Sequence, residues 1–176
     1  MKALSSIQNP EIKKLRLLFQ KTKERKKHSL FVIEGEREIE KALKGGYFLE
    51  SVFIHKAAEH SFELIISQSK VSNVFLLASS IFERLSIRSG SEKIIAIAQS
   101  KTHKLEDLIL NESSIILVIE APEKPGNIGA IFRTAAAAKM DAVIVANPKT
   151  DFYNPNSIRS SLGSIFLIPS AIGDSL

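Results

Sequence analysis

Asn127 and Arg133 lie six residues apart in the stretch EAPEKPGNIGAIFRTAAAA, residues 120–138. They join a neutral amide to a permanent cation. With a pKa above about 12, a free guanidinium is a poor proton acceptor. It is well suited to clamping a phosphate, or to steadying an oxygen as that oxygen loses its proton. Pro125-Gly126-Asn127 reads as a tight turn leaving a strand, with Asn127 accepting a backbone N–H to cap the helix that follows. Gly129, Ala130 and Ala135 to Ala138 make that helix thin, so a second backbone can approach it. Arg133 follows Gly129 by four residues and shares its face, which predicts a side chain projecting into a cleft. The same residues also suit an alanine-rich surface helix with an Asn cap and a solvated Arg.

A second stretch, DFYNPNSIRSSLGSIFLIP over residues 151–169, offers turn and cap chemistry at Asn154-Pro155-Asn156. Arg159, Ser160 and Ser161 crowd a short helix there, and Gly163 is expected to end it and let a strand begin sharply. An ordinary connection between a helix and a strand uses the same residues. Other chemistries are excluded by what is missing. The chain has no G-x-G-x-x-G after a strand, no G-K-[ST], no serine nucleophile elbow and no paired catalytic carboxylates. It has no cysteine, so disulfides, thiolate metal sites and Cys nucleophiles fall away, and a reducing, cytoplasmic location is expected. His28, His55, His60 and His103 show no metal-ligand spacing and read as surface or edge residues, so no metal is expected.

The elements that must position these residues form two α/β groups. Asn9-Pro10 opens a helix whose apolar face is Ile12, Leu15, Leu18 and Phe19. Strands are expected at 31–33, 52–54, 74–77 and 94–98, and helices at 34–44, 61–69 and 79–85, with Gly45-Gly46 as a C-cap. The first group, residues 1–100, thus reads as a small α/β domain. The polar segment around 99–104 marks a boundary, and residues 101–110 are expected as a linker. A second group over 111–176 follows, with strands at 115–119, 142–146 and 164–168 and a helix at 128–139. Its apolar runs are continuous, as in parallel strands covered on both faces.

Charge is unevenly placed. Residues 1–28 carry nine Lys and Arg against two acids, a local net of +7 within a chain of net +5. Lys13, Lys14, Arg16, Lys21, Lys23, Arg25, Lys26 and Lys27 thus form a cationic arm on a slightly acidic body, an arrangement that suits RNA through counterion release. A solvated helix face that aids solubility is the plainer alternative. No apolar run approaches the ~18–20 residues that span a bilayer, so a membrane is not an expected partner.

PGNIGAIFRTAAA resembles the first signature of the SpoU-type branch of the SPOUT RNA methyltransferases, an Asn followed six residues later by an Arg. IRSSLGSIF is similar to the second signature, and LFVIEGEREIEKAL to the auxiliary substrate-binding domain often fused in front, a fold like certain small ribosomal RNA-binding proteins. The resemblance implies S-adenosylmethionine as donor, a ribose 2′-hydroxyl of structured RNA as acceptor (ribosomal rather than transfer RNA), a trefoil-knotted catalytic domain and a homodimer. It makes Asn127 and Arg133 the catalytic candidates, with Asn127 orienting Arg133 or the ribose. Arg159, Ser161 and Gly163 become active-site support, and Arg37 joins the RNA-binding candidates. The family's third signature, which supplies much of the cofactor pocket and threads the knot, has no counterpart before Leu176. The chain is therefore expected to be a fragment that holds the donor poorly and leaves the knot unformed. Two other readings remain: a non-catalytic RNA-binding relative, and an α/β interaction domain whose basic helix meets an acidic protein.

Overall fold

The computed structural model describes residues 1–86 and 92–174 and divides into two compact units, Met1–Ser100 and Lys101–Leu176. In the first unit the strands are β1 (Lys2–Leu4), β2 (Leu30–Glu34), β3 (Leu49–His55), β4 (Asn73–Leu77) and β5 (Ile94–Gln99). They pair in the order β1-β4-β3-β5-β2. β4 runs parallel to β1 and β3, whereas β5 is antiparallel to β3 and β2. The helices are α1 (Pro10–Gln20), α2 (Thr22–His28), α3 (Glu36–Lys44), α4 (Glu63–Ser69) and α5 (Ser79–Leu85).

The core of this unit follows from periodicity. Ile12, Leu15 and Leu18 sit three residues apart on α1 and are essentially inaccessible, packed with Val32, Phe53, Leu77, Phe82 and Ile95. Phe53 and Phe75 stack across β3 and β4 with ring centroids 5.2 Å apart. Asn9 caps α1 through its side chain, which accepts from the Glu11 N–H at 2.9 Å. The Gly45-Gly46 cap forms as expected. Gly46 takes φ +71°, the Tyr47 N–H donates to the Ala42 carbonyl, and the Gly46 N–H to the Leu43 carbonyl. The basic arm is two helices rather than one, because Lys21 adopts an extended conformation between α1 and α2.

The second unit holds β6 (Ile116–Glu120), α6 (Pro125–Ala137), β7 (Ala142–Ala146), α7 (Pro155–Ser160) and β8 (Ser170–Gly173), with the three strands parallel in the order β6-β7-β8. Here the structure corrects the expected last strand. Residues 164–166 form a 3₁₀ turn, and the strand lies at Ser170–Gly173 instead. The 164–168 run is apolar because Ile165, Phe166 and Ile168 are buried, a property that strand and turn can share. Residues 101–110 are not a free linker either. The Ile172 N–H donates to the His103 carbonyl at 2.7 Å, and the short turn Leu105–Asp107 packs on β8.

Two histidines also depart from the surface reading. His55 is buried on β3, and its Nδ1 accepts from the Ala57 N–H. His103 is bracketed by the Tyr153 hydroxyl at 2.7 Å from Nε2 and by Ser170 at 3.0–3.1 Å from Nδ1.

Candidate functional site

α6 starts at Pro125, where the missing N–H and fixed φ of proline suit a first helical residue. Lys124 is the N-cap, which makes Asn127 the third residue of the helix, and its own N–H donates to the Lys124 carbonyl at 3.0 Å. Asn127 is therefore not the cap expected from sequence. Ile128, Gly129, Phe132 and Ala135 form the buried face of α6.

The thin-helix expectation is met at Gly129. A Cβ placed there would lie 2.1 Å from the Ser160 hydroxyl, 2.2 Å from the Ser157 carbonyl oxygen and 2.7 Å from the Ser161 nitrogen. Only glycine lets the backbones of α6 and α7 approach so closely. The contact joins the two stretches singled out above. On the α7 side, the buried Ser161 hydroxyl donates to the Ile158 carbonyl at 2.7 Å and accepts from the Gly163 N–H at 3.1 Å. Leu162 and Gly163 both adopt left-handed conformations, φ +52° and +77°, which turn the chain sharply out of α7. Ser161 and Gly163 thus shape the crossing, while Arg159 stands exposed on α7. The Ser157 hydroxyl, buried at the same crossing, has no hydrogen-bond partner among the described residues.

Arg133 lies one helical turn beyond Gly129 and is exposed, where a cleft position was expected. Asn127 is exposed too. Six residues place the two side chains about 9 Å apart along the helix axis and roughly a third of a turn around it. Asn127 does not orient Arg133 here, and among the described residues neither side chain has a hydrogen-bond or ion-pair partner.

The carboxyl ends of β6, β7 and β8 meet in a second feature that sequence reasoning missed. Ala121 and Asn147, each directly after its strand, adopt φ +45° and +47°. Non-glycine residues rarely take such angles, and they cluster at functional sites. The Asn147 amide donates to the Glu120 carboxylate at 2.7 Å, and the Asn147 N–H donates to the Gly173 carbonyl at 2.8 Å. The usable signal was Asn147-Pro148, since asparagine tolerates the left-handed region better than most residues.

The cationic arm of the first unit divides on inspection. Lys13, Arg16, Lys21, Lys23, Lys26 and Lys27 are exposed. Arg25 is not. It is 4% exposed, and its guanidinium donates to the Leu18 carbonyl at 2.6 Å, the Phe19 carbonyl at 3.2 Å and the Thr22 hydroxyl at 2.9 Å. Arg25 ties the end of α1 to α2 and leaves the RNA-facing set. Lys14 pairs with Glu50, and Arg37, on α3, donates to the buried Glu38 carboxylate at 2.7 Å.

Residues 9–96 match the MRM3-like substrate binding domain and residues 114–176 the SpoU rRNA Methylase family. The chain belongs to the SpoU rRNA methylase family. Among relatives of this SpoU-family chain, the 23S rRNA (guanosine(2553)-2′-O)-methyltransferase RlmP of Bacillus subtilis is 30% identical over 96% of the chain and 64% of its own length. The 23S rRNA (uridine(2479)-2′-O)-methyltransferase of Streptomyces viridochromogenes is 25% identical over 80% of the chain and 50% of its own length. A crystal structure of an RNA 2′-O ribose methyltransferase superposes with a TM-score of 0.79 at 33% identity, covering 98% of the SpoU-family chain and 65% of that one. The chain thus spans less than two thirds of the length of these relatives.

Proposed function

We propose that the full-length protein transfers a methyl group from S-adenosylmethionine to a ribose 2′-hydroxyl in structured RNA, ribosomal rather than transfer RNA. The observation that carries this reading is the α6–α7 crossing at Gly129. It sets the Asn127/Arg133 stretch and the Arg159/Ser161/Gly163 stretch of a SpoU domain against each other, backbone to backbone. The relatives named for 2′-O-methylation of 23S RNA support the ribosomal choice.

The residues present fit the donor as one wall of a pocket. In open parallel sheets, ligands bind beyond the carboxyl ends of the strands. In this chain that edge carries the left-handed Ala121 and Asn147 and the Glu120–Asn147 hydrogen bond. The backbone at Ala121, Asn147 and Gly173 would hold the group, whose sulfonium supplies an activated methyl. The chain's own part is alignment of the acceptor and electrostatic support of its oxygen. Arg133 serves as a cation that holds an RNA phosphate or the developing alkoxide, with proton removal by phosphate or water. Asn127 orients the ribose through its amide.

The exposure of Arg133 and Asn127 in a single chain favours a site completed by a second subunit. The apolar side chains of Ile115, Ile116 and Val118, exposed on and beside β6, form a surface that a second subunit or the rest of the full-length catalytic domain would cover. A trefoil knot in the full-length catalytic domain and a cytoplasmic location belong to the same proposal.

The test is Arg133→Ala in the full-length protein, with methyl incorporation into ribosomal RNA and donor affinity measured in parallel. Loss of one such electrostatic donor costs about 10²–10³ in rate, with donor affinity unchanged. An undiminished rate refutes the assignment. Donor binding that is absent even from the full-length protein favours the non-catalytic RNA-binding reading.

A further inference from the structure

The Lys-rich arm on α1 and α2 has no exposed Phe, Tyr or Trp, and its six exposed Lys and Arg suit it to holding phosphates more than to stacking bases. An exposed ring lies elsewhere in the first unit. Phe48 is 72% exposed and Leu64 64% exposed, both lining a cleft of about 640 Å³ whose rim carries Lys44, Lys70, Glu40 and Gln68. Phe48 is not a loose loop residue. The Gln99 N–H donates to its carbonyl at 2.9 Å. Its neighbour Tyr47 is buried edge-on against Phe31 at 5.8 Å, and Gly46 at φ +71° sets the turn before it. The backbone is held while the ring faces water. Lys44 ends α3, and Lys70 caps α4 in a left-handed conformation. Both are exposed and, among the described residues, make no ion pair.

We propose that this cleft is a base-stacking subsite for a single-stranded segment of RNA, with Phe48 as the platform and Lys44 and Lys70 holding the flanking phosphates. The inference rests on the RNA-substrate reading above and adds which part of the RNA is gripped, and where. An accessible aromatic face between cations is how proteins hold unpaired bases, because every base has a π-face. The two lysines beside the ring favour a phosphate-bearing partner, since lysine is depleted in protein–protein interfaces relative to the rest of the surface. Two lysines against Glu40 leave the rim positive, which complements a phosphate chain. Gln68 adds an amide within reach of a base edge. The sites divide the labour: the α1–α2 arm supplies salt-dependent affinity, and the Phe48 cleft supplies a preference for unpaired nucleotides.

Residues 1–176 contain no tryptophan, so Phe48→Trp in the full-length protein adds an indole at the platform, read as the difference in emission from the parent protein. Titration with single-stranded oligo(A) RNA should quench its emission, and a fully paired RNA duplex should not. Phe48→Ala should weaken oligo(A) binding, read by anisotropy, by roughly five- to hundredfold, the fold-change corresponding to stacking of one base. Lys44→Glu with Lys70→Glu should weaken it further. If oligo(A) binds with the indole unquenched and Phe48→Ala without effect, the subsite is wrong while the methyltransferase reading stands. If the indole is quenched but the full-length protein methylates no RNA, the reading fails and the subsite stands. If Phe48→Ala changes sedimentation and leaves RNA affinity untouched, the cleft is a protein interface and the proposal is overturned.

Discussion

Substituting Gly129 by alanine tests the close helix crossing on which the candidate site is built. The added Cβ would lie 2.2 Å from the Ser157 carbonyl oxygen and 2.7 Å from the Ser161 nitrogen, whereas comfortable heavy-atom contacts fall near ~3.5–4.0 Å. The Ser160 hydroxyl, at 2.1 Å, can rotate away. The two backbone atoms cannot, so α6 and α7 must separate by roughly an ångström. Overpacking of this kind costs about 1–3 kcal/mol, and the backbone contacts put Gly129→Ala at the upper end. Alanine's better helix propensity offsets about 1 kcal/mol of that, leaving a net loss of about 2 kcal/mol. With a urea dependence of about 2 kcal/mol per molar, the unfolding midpoint should fall by about 1 M. Gly126→Ala is the control. It lies on the same helix, three residues earlier, and its Cβ would meet nothing within 4 Å. The assay is urea unfolding of both variants beside the parent protein, with methyl transfer measured in the full-length form. Gly126→Ala should leave stability unchanged or raise it slightly. Gly129→Ala should lose both stability and rate, since Arg133 lies one turn further along the same helix. If the two variants are equally stable, the reasoning about the crossing is refuted.

Arg25→Met should destabilise the first unit, because the Leu18 and Phe19 carbonyls lose their donor at about 1–3 kcal/mol per buried group. It should leave the salt dependence of RNA binding intact, whereas Lys23→Glu, Lys26→Glu and Lys27→Glu together should flatten that dependence without loss of thermal stability. Protonation of His103 is disfavoured, first by burial, then by the nearby Lys101 charge, with an opposing contribution from its hydrogen bond to Ser170. The unfolded chain therefore takes up the proton first on acidification, so His103 contributes stability above its ordinary value of 6.5 that is lost as pH falls below it. His55, whose protonation is also disfavoured by burial, acts in the same direction. Denaturation midpoints followed from pH 7 to 5 should fall, and fall less steeply for His103→Gln; equal slopes would show that His103 is not a proton-linked contact.

Most helices and the inner strands were legible because each puts its apolar residues on one side at a fixed period, as Ile12, Leu15 and Leu18 do on α1. What escaped was set by contacts distant in sequence. β1 is three residues long and exists because Lys2–Leu4 pair with Phe75–Leu77, more than seventy residues away. β8 is made of Ser170, Ala171, Ile172 and Gly173, of which only Ile172 favours a strand; parallel pairing with β7 decides it. Asn127 was misjudged because Pro-Gly-Asn reads equally as a turn and as a first helical turn, and only the capping position separates the two. Arg25 shows the limit of charge counting. A run of cations reports a net potential, but one member turned inward to close two carbonyls looks no different in sequence.

The exposure of Arg133 bears directly on how much it can do. Two unit charges 4 Å apart interact by about 1 kcal/mol in bulk water and by about 4 kcal/mol at an effective dielectric constant of 20. The hundred- to thousandfold effect expected of a catalytic donor corresponds to about 2.7–4 kcal/mol, which only the second environment supplies. For Arg133 to act on a ribose oxygen, the outward side of α6 has to be covered when RNA is bound, by the RNA itself or by another subunit. The small side chains around it leave room for that cover. Ala130, Ala136 and Ala137, exposed beside Arg133, present no bulk that would hold an approaching backbone away from the guanidinium. The glycine and alanine content of α6 thus has two consequences: the inward side admits α7 at Gly129, and the outward side stays low enough for a ribose-phosphate chain or a partner helix to lie against it and exclude water.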